Sequence, residues 1–399
     1  MFNKPKEVRN IWLLLLSENM LSNLGLFSIY ALLSVYFLTV LKYSPLLTSY
    51  LLLFSTLSLR LARVVFAPVI NLLGIRQSFI YSLGLCALGY ILMGLSTSPW
   101  LIMVCLILVG TGYGANSLLI KVITATLSQS QDSYFLKYAK MGVATNIGAA
   151  AGPLIGNYLM IHQPAGYTCF FSAAVFLIGT IIAAVFPVTF PETKPQKISM
   201  KEIVTHFKLK TLRMPVILAI FGWFLYAQFF TSLPIFVSKG LMKENMLGTL
   251  FFINASIVIL GSVPLSQLAI KVLKNETMIV ACSFILFAIG FLALGSFYYL
   301  STAYFAIVIW TVAEILLIPA LSALVAKTSQ EEHRTVSFAI NAVAMGIGEG
   351  AGNFFGTYLS KFGLHFGAWN ITFLSLMVIA ILFTVICMVF TVRERALYV

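Results

Sequence analysis

VATNIGAAAGPLIGNYL, residues 143–159, and VAMGIGEGAGNFFGTYL, residues 343–359, are one small-residue ladder written twice at an offset of 200. Nine of the seventeen positions are identical in register, among them Gly148/Gly348, Gly152/Gly352, Gly156/Gly356 and Tyr158/Tyr358. Glycine at every fourth position lays a smooth stripe along a helix, because residues i and i+4 share a face, and a neighbouring helix can then approach closely. Matching ladders at one fixed offset predict a chain duplicated in two parallel halves. In membranes such repeats describe transporters whose substrate site lies between the halves.

Around the ladders, composition fixes the solvent. Hydrophobic residues make up 60% of the 399 and charged residues 9%, with 33 Phe; this excludes a water-soluble domain and predicts an all-α polytopic membrane protein. Apolar runs of span length number twelve, six from Ile11–Leu41 to Cys169–Phe190 and six from Pro215–Val237 to Trp369–Phe390. The long polar stretch between them, PETKPQKISMKEIVTHFKLKTLRM, predicts a six-helix bundle over 1–190, a cytoplasmic linker over 191–214 and a second, pseudo-symmetric six-helix bundle over 215–399. The first apolar run lacks a small-residue cleavage site and is too long for a signal peptide, so it reads as the first span.

A net charge of +13 would suggest nucleic acid in a soluble protein. Here its placement carries the meaning: with a cytoplasmic N-terminus, most Lys and Arg fall on that side, and only Lys42, Lys239, Lys243 and Lys361 face out. The bias predicts a multi-pass protein of the cell membrane with both termini cytoplasmic, its basic linker resting near anionic lipid, and no nucleic-acid partner. Cys86, Cys105, Cys169, Cys282 and Cys387 all lie in apolar runs, and His162, His206, His333 and His365 in loops or at span ends. Neither set has disulfide or metal-ligand spacing, so no cofactor or metal is expected.

Pro153, directly after Gly152, removes a backbone hydrogen bond inside a span and kinks the helix at a set place. The string GAAAGPLIG, with Gly148, Gly152, Pro153 and Gly156 in the fifth span, resembles the antiporter motif of the drug:proton antiporters of the major facilitator superfamily. The resemblance covers the twelve spans, the six-plus-six duplication and the central loop, and implies a major facilitator fold and export driven by proton antiport. Two other family motifs depart from pattern. Between spans two and three the family reads G-x-x-x-D-R-x-G-R-[RK], whereas this chain reads APVINLLGIRQ. Gly74 and Arg76 match, and Asn71 and Leu72 replace the aspartate and first arginine, so the charged latch must be weakened or supplied otherwise. In span four, Gly112 and Gly114 remain of the family motif, with Leu108 and Thr111 in place of its arginine and glutamine.

Charged groups inside spans cost roughly 2.5 to 3.5 kcal/mol each at mid-membrane, so each needs a reason. Glu314 falls about 18 Å from the cytoplasmic end of its span at 1.5 Å per residue. Its string TVAEILLIP resembles the tenth span of multidrug exporters, which implies that this glutamate takes part in proton and substrate coupling. Glu349 stands on the second ladder where the first has Ala149, and reads either as a second proton site or as a contact to another span. Glu18 and Arg63 come to similar depths, about 10 and 11 Å, on antiparallel spans; they read as an ion pair or as parts of the transport machinery. Arg60, about 15 Å deep and on one face with Arg63, is placed to hold an anionic substrate group. Lys121 reads as snorkelling to the interface, with a place in the cavity as the alternative. Lys137 and Lys140 stand at the entrance of the fifth span, and cations reaching a cavity favour a carboxylate-bearing or zwitterionic substrate.

Asn19, Asn23, Tyr30, Asn146, Trp223, Tyr226, Gln228, Trp310 and Asn341 are candidates by position to line a substrate cavity, with packing the competing reading for the aromatics. No nucleophile or metal motif of a membrane enzyme is present in the sequence. The sequence therefore predicts a monomeric, non-enzymatic secondary transporter whose partners are a small-molecule substrate, protons and membrane lipid. Export of a drug or an endogenous metabolite, a polycarboxylate metallophore of the opine type among them, stands against import of a small organic anion by proton symport.

Overall fold

The computed structural model describes residues 5–126, 131–185, 210–273, 275–328 and 334–397. Most of the expected linker, with His206, lies outside the described residues, as do His333 and the side chains of Asn71 and Lys137.

Twelve long helices are found among the described residues. In the first half they are α1 (Pro5–Tyr30), α2 (Pro45–Leu73), α3 (Ile75–Leu95), α4 (Pro99–Thr126), α5 (Gln131–His162) and α6 (Tyr167–Val185). The second half has α7 (Lys210–Tyr226), α8 (Leu247–Leu273), α9 (Glu276–Ser296), α10 (Leu300–Thr328), α11 (Arg334–Phe366) and α12 (Trp369–Leu397). There is no strand among the described residues. In hydrocarbon every backbone polar group must be satisfied within the protein, and a helix does this by itself. Ten of the helices are long and apolar enough to cross a membrane; α5 and α11 fall short, because glycine and polar residues occupy the stripe where other spans carry aliphatic side chains.

The duplication reaches the backbone. The helical path after α1 ends in a π turn at Tyr36–Val40, and that after α7 in a π turn at Phe236–Gly240. Each is followed by a non-glycine residue in the left-handed region, Lys42 at φ 56° and Met242 at φ 54°. The same closing bond recurs, Tyr43 N–H to the Phe37 carbonyl at 2.8 Å and Lys243 N–H to the Val237 carbonyl at 2.9 Å. All these pairs stand 200 residues apart.

The chain folds as two compact units, one of Met1–Tyr36 and Phe54–Gln196, the other of Phe37–Leu53 and Lys197–Val399. Within the first, α5 packs on α1, α4 and α6 on α3; within the second, α11 packs on α7, α10 and α12 on α9. The ladders explain the first pairing in each unit. A Cβ at Gly148 would overlap the Met20 carbonyl, one at Gly152 would lie 2.8 Å from the Ser28 nitrogen and 3.0 Å from the Leu24 carbonyl, and one at Gly156 would overlap the Ser28 carbonyl. On the second ladder, Gly348 meets the Ile220 carbonyl, Gly352 the Phe224 carbonyl and Gly356 the side-chain oxygen of Gln228. Residues 20, 24 and 28 thus reappear as 220, 224 and 228, so the partner face is duplicated as well as the stripe.

Candidate functional site

Each unit holds a carboxyl group between its first and fourth long helices, and the two are built differently. In the second unit, Glu314 of α10 is half-buried. Asn254 of α8 donates from Nδ2 to Glu314 Oε2 at 2.9 Å, and the Tyr226 hydroxyl of α7 donates to Oε1 at 3.3 Å. Asn254 also donates to Thr311 Oγ1 at 2.9 Å, one turn before the acid. Three helices therefore meet on one carboxyl group. An ionised carboxylate accepts from both donors, whereas a protonated one gives up acceptor capacity and gains an O–H. Asn254 Nδ2 cannot answer that O–H, since it only donates, whereas the Tyr226 hydroxyl can accept it; a proton on Oε1 therefore reverses the bond to α7, and one on Oε2 breaks the bond to α8.

In the first unit, Glu18 of α1 is 2% exposed. Its Oε1 takes hydrogen bonds from Ser22 Oγ and from Asn116 Nδ2 of α4, the latter at 2.9 Å. Its Oε2 and Asn116 Oδ1 are buried without a hydrogen-bond partner among the described residues. Of the two readings of Glu18 and Arg63, the ion pair has no contact behind it among the described residues: Glu18 takes its bonds from Ser22 and Asn116 rather than from Arg63. Arg63 instead lines a cavity of about 300 Å³, together with Asn19, Asn23, Tyr113, Lys121 and Asn146. The walls are tied to one another. Tyr113 donates to Asn23 Oδ1 at 2.8 Å, Asn23 Nδ2 to the Asn19 carbonyl at 2.7 Å, and Asn19 Nδ2 to the Met141 carbonyl at 2.9 Å. Lys121, for which the sequence left snorkelling and a cavity role open, belongs to this wall. Arg60 lies one turn before Arg63 and is buried.

The other sequence candidates are buried or half-buried, and most are spent on packing. Trp310 is fully buried: its Nε1 donates to the Phe287 carbonyl at 3.1 Å, its ring stands 4.8 Å from Phe291 and 5.5 Å from Phe229, and it fills the space left by Gly290. Gln228 is also fully buried. Its Nε2 donates to the Phe224 and Gly352 carbonyls, both at 3.0 Å, and its Oε1 accepts from Thr231 and Ser232. All its hydrogen-bonding capacity goes into joining α11 to the break after α7, which leaves nothing to offer a ligand. Trp223 stands edge-on to Tyr226 at 5.0 Å, beside the Glu314 shell. Tyr30 packs edge-on against Phe27 at 6.2 Å. Asn341 donates to Met345 Sδ at 3.5 Å, with Oδ1 buried and lacking a donor among the described residues. Glu349 is buried, next to Gly348 on the ladder.

At the remnant of the loop motif, Gly74 takes φ 77° between α2 and α3. Arg76 donates to the Ala184 carbonyl at the end of α6. A cation on the carbonyl end of a helix is favourable, and this contact ties α3 to α6 without the missing aspartate. Gly112 and Gly114 let α4 pass tightly: a Cβ at Gly112 would meet the Ser82 carbonyl of α3, and one at Gly114 the Leu59 carbonyl of α2.

Ser22, Asn116 and Asn254 were not singled out from sequence. The available signal was a lone amide within an apolar span, in GANSLLI and FINASIV, since polar groups buried in membranes need partners.

The chain matches the family model described as Major Facilitator Superfamily over residues 15–348 and again over 242–398. It is 22% identical over 356 residues to a multidrug resistance protein, MdtH, of Proteus mirabilis (strain HI4320), covering 88% of this chain and 86% of the relative. Among solved structures it resembles a POT family transporter in complex with a thioalcohol-conjugated peptide, with TM-score 0.80, 13% identity and 96% of each chain covered. It also resembles the D323A mutant of the nucleoside transporter NupG, with TM-score 0.78, 14% identity and coverage of 95% of this chain and 99% of that one. At these identities the structures speak for the fold alone.

Proposed function

The chain belongs to the Major Facilitator Superfamily, a family of multi-pass membrane transporters rather than enzymes, and on that premise we propose that it exports a small molecule in exchange for protons by alternating access. The observation that carries this reading is the Glu314 shell, in which donors from α7 and α8 meet the carboxyl of α10. Taking up or releasing a proton there changes which interhelix bonds can be made, and a ligand or proton shifts a conformational equilibrium only through such differences between states. Glu18 and Glu349 serve as secondary proton sites. The glycine-proline ladder of α5 and the likeness to a multidrug resistance protein support the outward direction. The cargo is a drug or an endogenous metabolite, with a carboxylate-bearing metallophore of the opine type included. The protein works as a monomer in the cell membrane, both termini cytoplasmic and without a cofactor.

A second reading, proton symport that imports a small organic anion, is favoured by the cations lining the cavity of the first unit. The sign of pH-driven flux in inverted vesicles separates the two. With the lumen acidified, a panel of cationic drugs and anionic chelators will show accumulation of at least one compound if the protein exports by antiport. Accumulation that instead requires the opposite gradient supports symport and overturns the export reading.

A further inference from the structure

The cavity of the first unit is lined by two cations from different helices, Arg63 of α2 and Lys121 of α4, and no carboxylate lines it among the described residues. The acid nearest in sequence, Glu18, is turned into its own bonds with Ser22 and Asn116, although its neighbour Asn19 lines the cavity. Two like charges sharing a space of about 300 Å³ between apolar helices repel more strongly than in water, and an anion between them relieves that repulsion.

The polar wall also has donors to spare. Tyr113, Asn23 and Asn19 spend hydrogen atoms on one another and on the Met141 carbonyl. Lys121 and Asn146 make no hydrogen bond or ion pair among the described residues, and both line the cavity. A guanidinium carries five N–H donors in a planar fork that matches a carboxylate in two-point fashion.

We propose that this cavity is a binding site for the carboxylate of a small soluble anion, held by Arg63 and Lys121 from two different helices and by the amide of Asn146. The site deepens the transport reading by naming its substrate class, and it rests on that reading only for the direction of travel. It also excludes lipophilic cations, which would bring a third positive charge into the same space. An anionic lipid headgroup presents similar oxyanions. A soluble ligand is the occupant because the amides of Asn19, Asn23 and Asn146 line the same space of about 300 Å³ as the two cations, a small polar enclosure that suits a compact anion.

Thermal unfolding of the full-length protein in neutral detergent, at one pH and matched ionic strength, tests the site without any transport step. Citrate is the probe, spermidine and chloride are the comparisons, and nanodiscs with and without phosphatidylglycerol form the lipid arm. Citrate raises the midpoint in a saturable way while spermidine and chloride do not, since a ligand that binds only the folded state stabilises it. Arg63→Gln and Lys121→Gln each weaken the apparent citrate affinity by about tenfold or more, and Lys361→Gln, on α11 and not part of the cavity lining, leaves it unchanged. Where Arg63→Gln does not yield monodisperse protein, Lys121→Gln carries the test. No shift with citrate, a shift indifferent to both substitutions, or a response seen with phosphatidylglycerol alone overturns the proposal. Binding that survives while pH-driven flux is absent would sink the exporter reading and leave this site standing; coupled flux of a cationic drug with no citrate binding would do the reverse.

Discussion

The two units share a scaffold and differ in what they place on it. Position by position, Gly148, Gly152 and Gly156 against α1 become Gly348, Gly352 and Gly356 against α7, and the π turns and left-handed residues that follow repeat at the same offset. The acids do not repeat: position 218 opposite Glu18 is Leu, and position 114 opposite Glu314 is Gly. In the first unit the carboxyl is on the first helix, sealed by a serine one turn away and an amide from α4. In the second it is on the fourth helix, half-buried, and bonded from two other helices. Close helix packing thus tolerates divergence of the chemistry beside it, because the backbone stripe, not the polar groups, sets the helix spacing.

The largest effect should appear where the stripes differ. A Cβ at Gly156 strikes backbone, the Ser28 carbonyl, whereas one at Gly356 strikes the side-chain ends of Gln228 and Thr231. Overpacking costs about 1 to 3 kcal/mol and more where nothing can yield, so Gly156→Ala should lower the detergent thermal midpoint well beyond Gly356→Ala. Equal losses would show that the two ladders are equally rigid.

Next in size is the shell of Glu314. A hydrogen bond to a charged group contributes about 1.5 to 3 kcal/mol, and removing the bond from Asn254 should slow coupled transport by about tenfold or more. Tyr226→Phe deletes the longer bond and should cost less. Initial rates of pH-driven flux, normalised to protein in the membrane, check the order; a larger loss from Tyr226→Phe would move the coupling contact from α8 to α7. Glu18→Gln keeps an acceptor for Ser22 and Asn116, and its coupled rate should fall only about threefold, a modest change on the free-energy scale. A loss matching that of Glu314→Gln would make the two acids equal partners.

The smallest expected effect is at the membrane rim. Arg76→Ala removes a contact to the carbonyl end of α6 and should cost about 1 kcal/mol or less, read as a small drop in thermal midpoint. A collapse in folded yield would mean that this contact has taken over the whole task of the missing charged latch.

The spans and the duplication were legible because glycine periodicity and apolar length are local properties of the sequence. Depth was legible too, and it put Glu18 and Arg63 at one level. Rise along a helix says nothing about which way a side chain points around it, and Glu18 points to Asn116 instead. Gln228 looked like a cavity residue because the α-helical register does not foresee the 3-10 turn at Ala227–Phe229, which brings its amide onto Gly352. Trp310 looked like a ligand contact because its receiving space at Gly290 comes from another helix, twenty residues away. Asn116 and Asn254 escaped notice since a single amide leaves periodicity unchanged, and its importance rests on the carboxyl it meets.

The central claim is that the carboxyl of Glu314 links proton movement to cargo movement, and one comparison on reconstituted vesicles reads it directly. With Glu314→Gln, substrate exchange down its own gradient should persist at near its normal rate while accumulation driven by a pH gradient is lost. Accumulation against the substrate gradient at the wild-type rate in that variant would contradict the account.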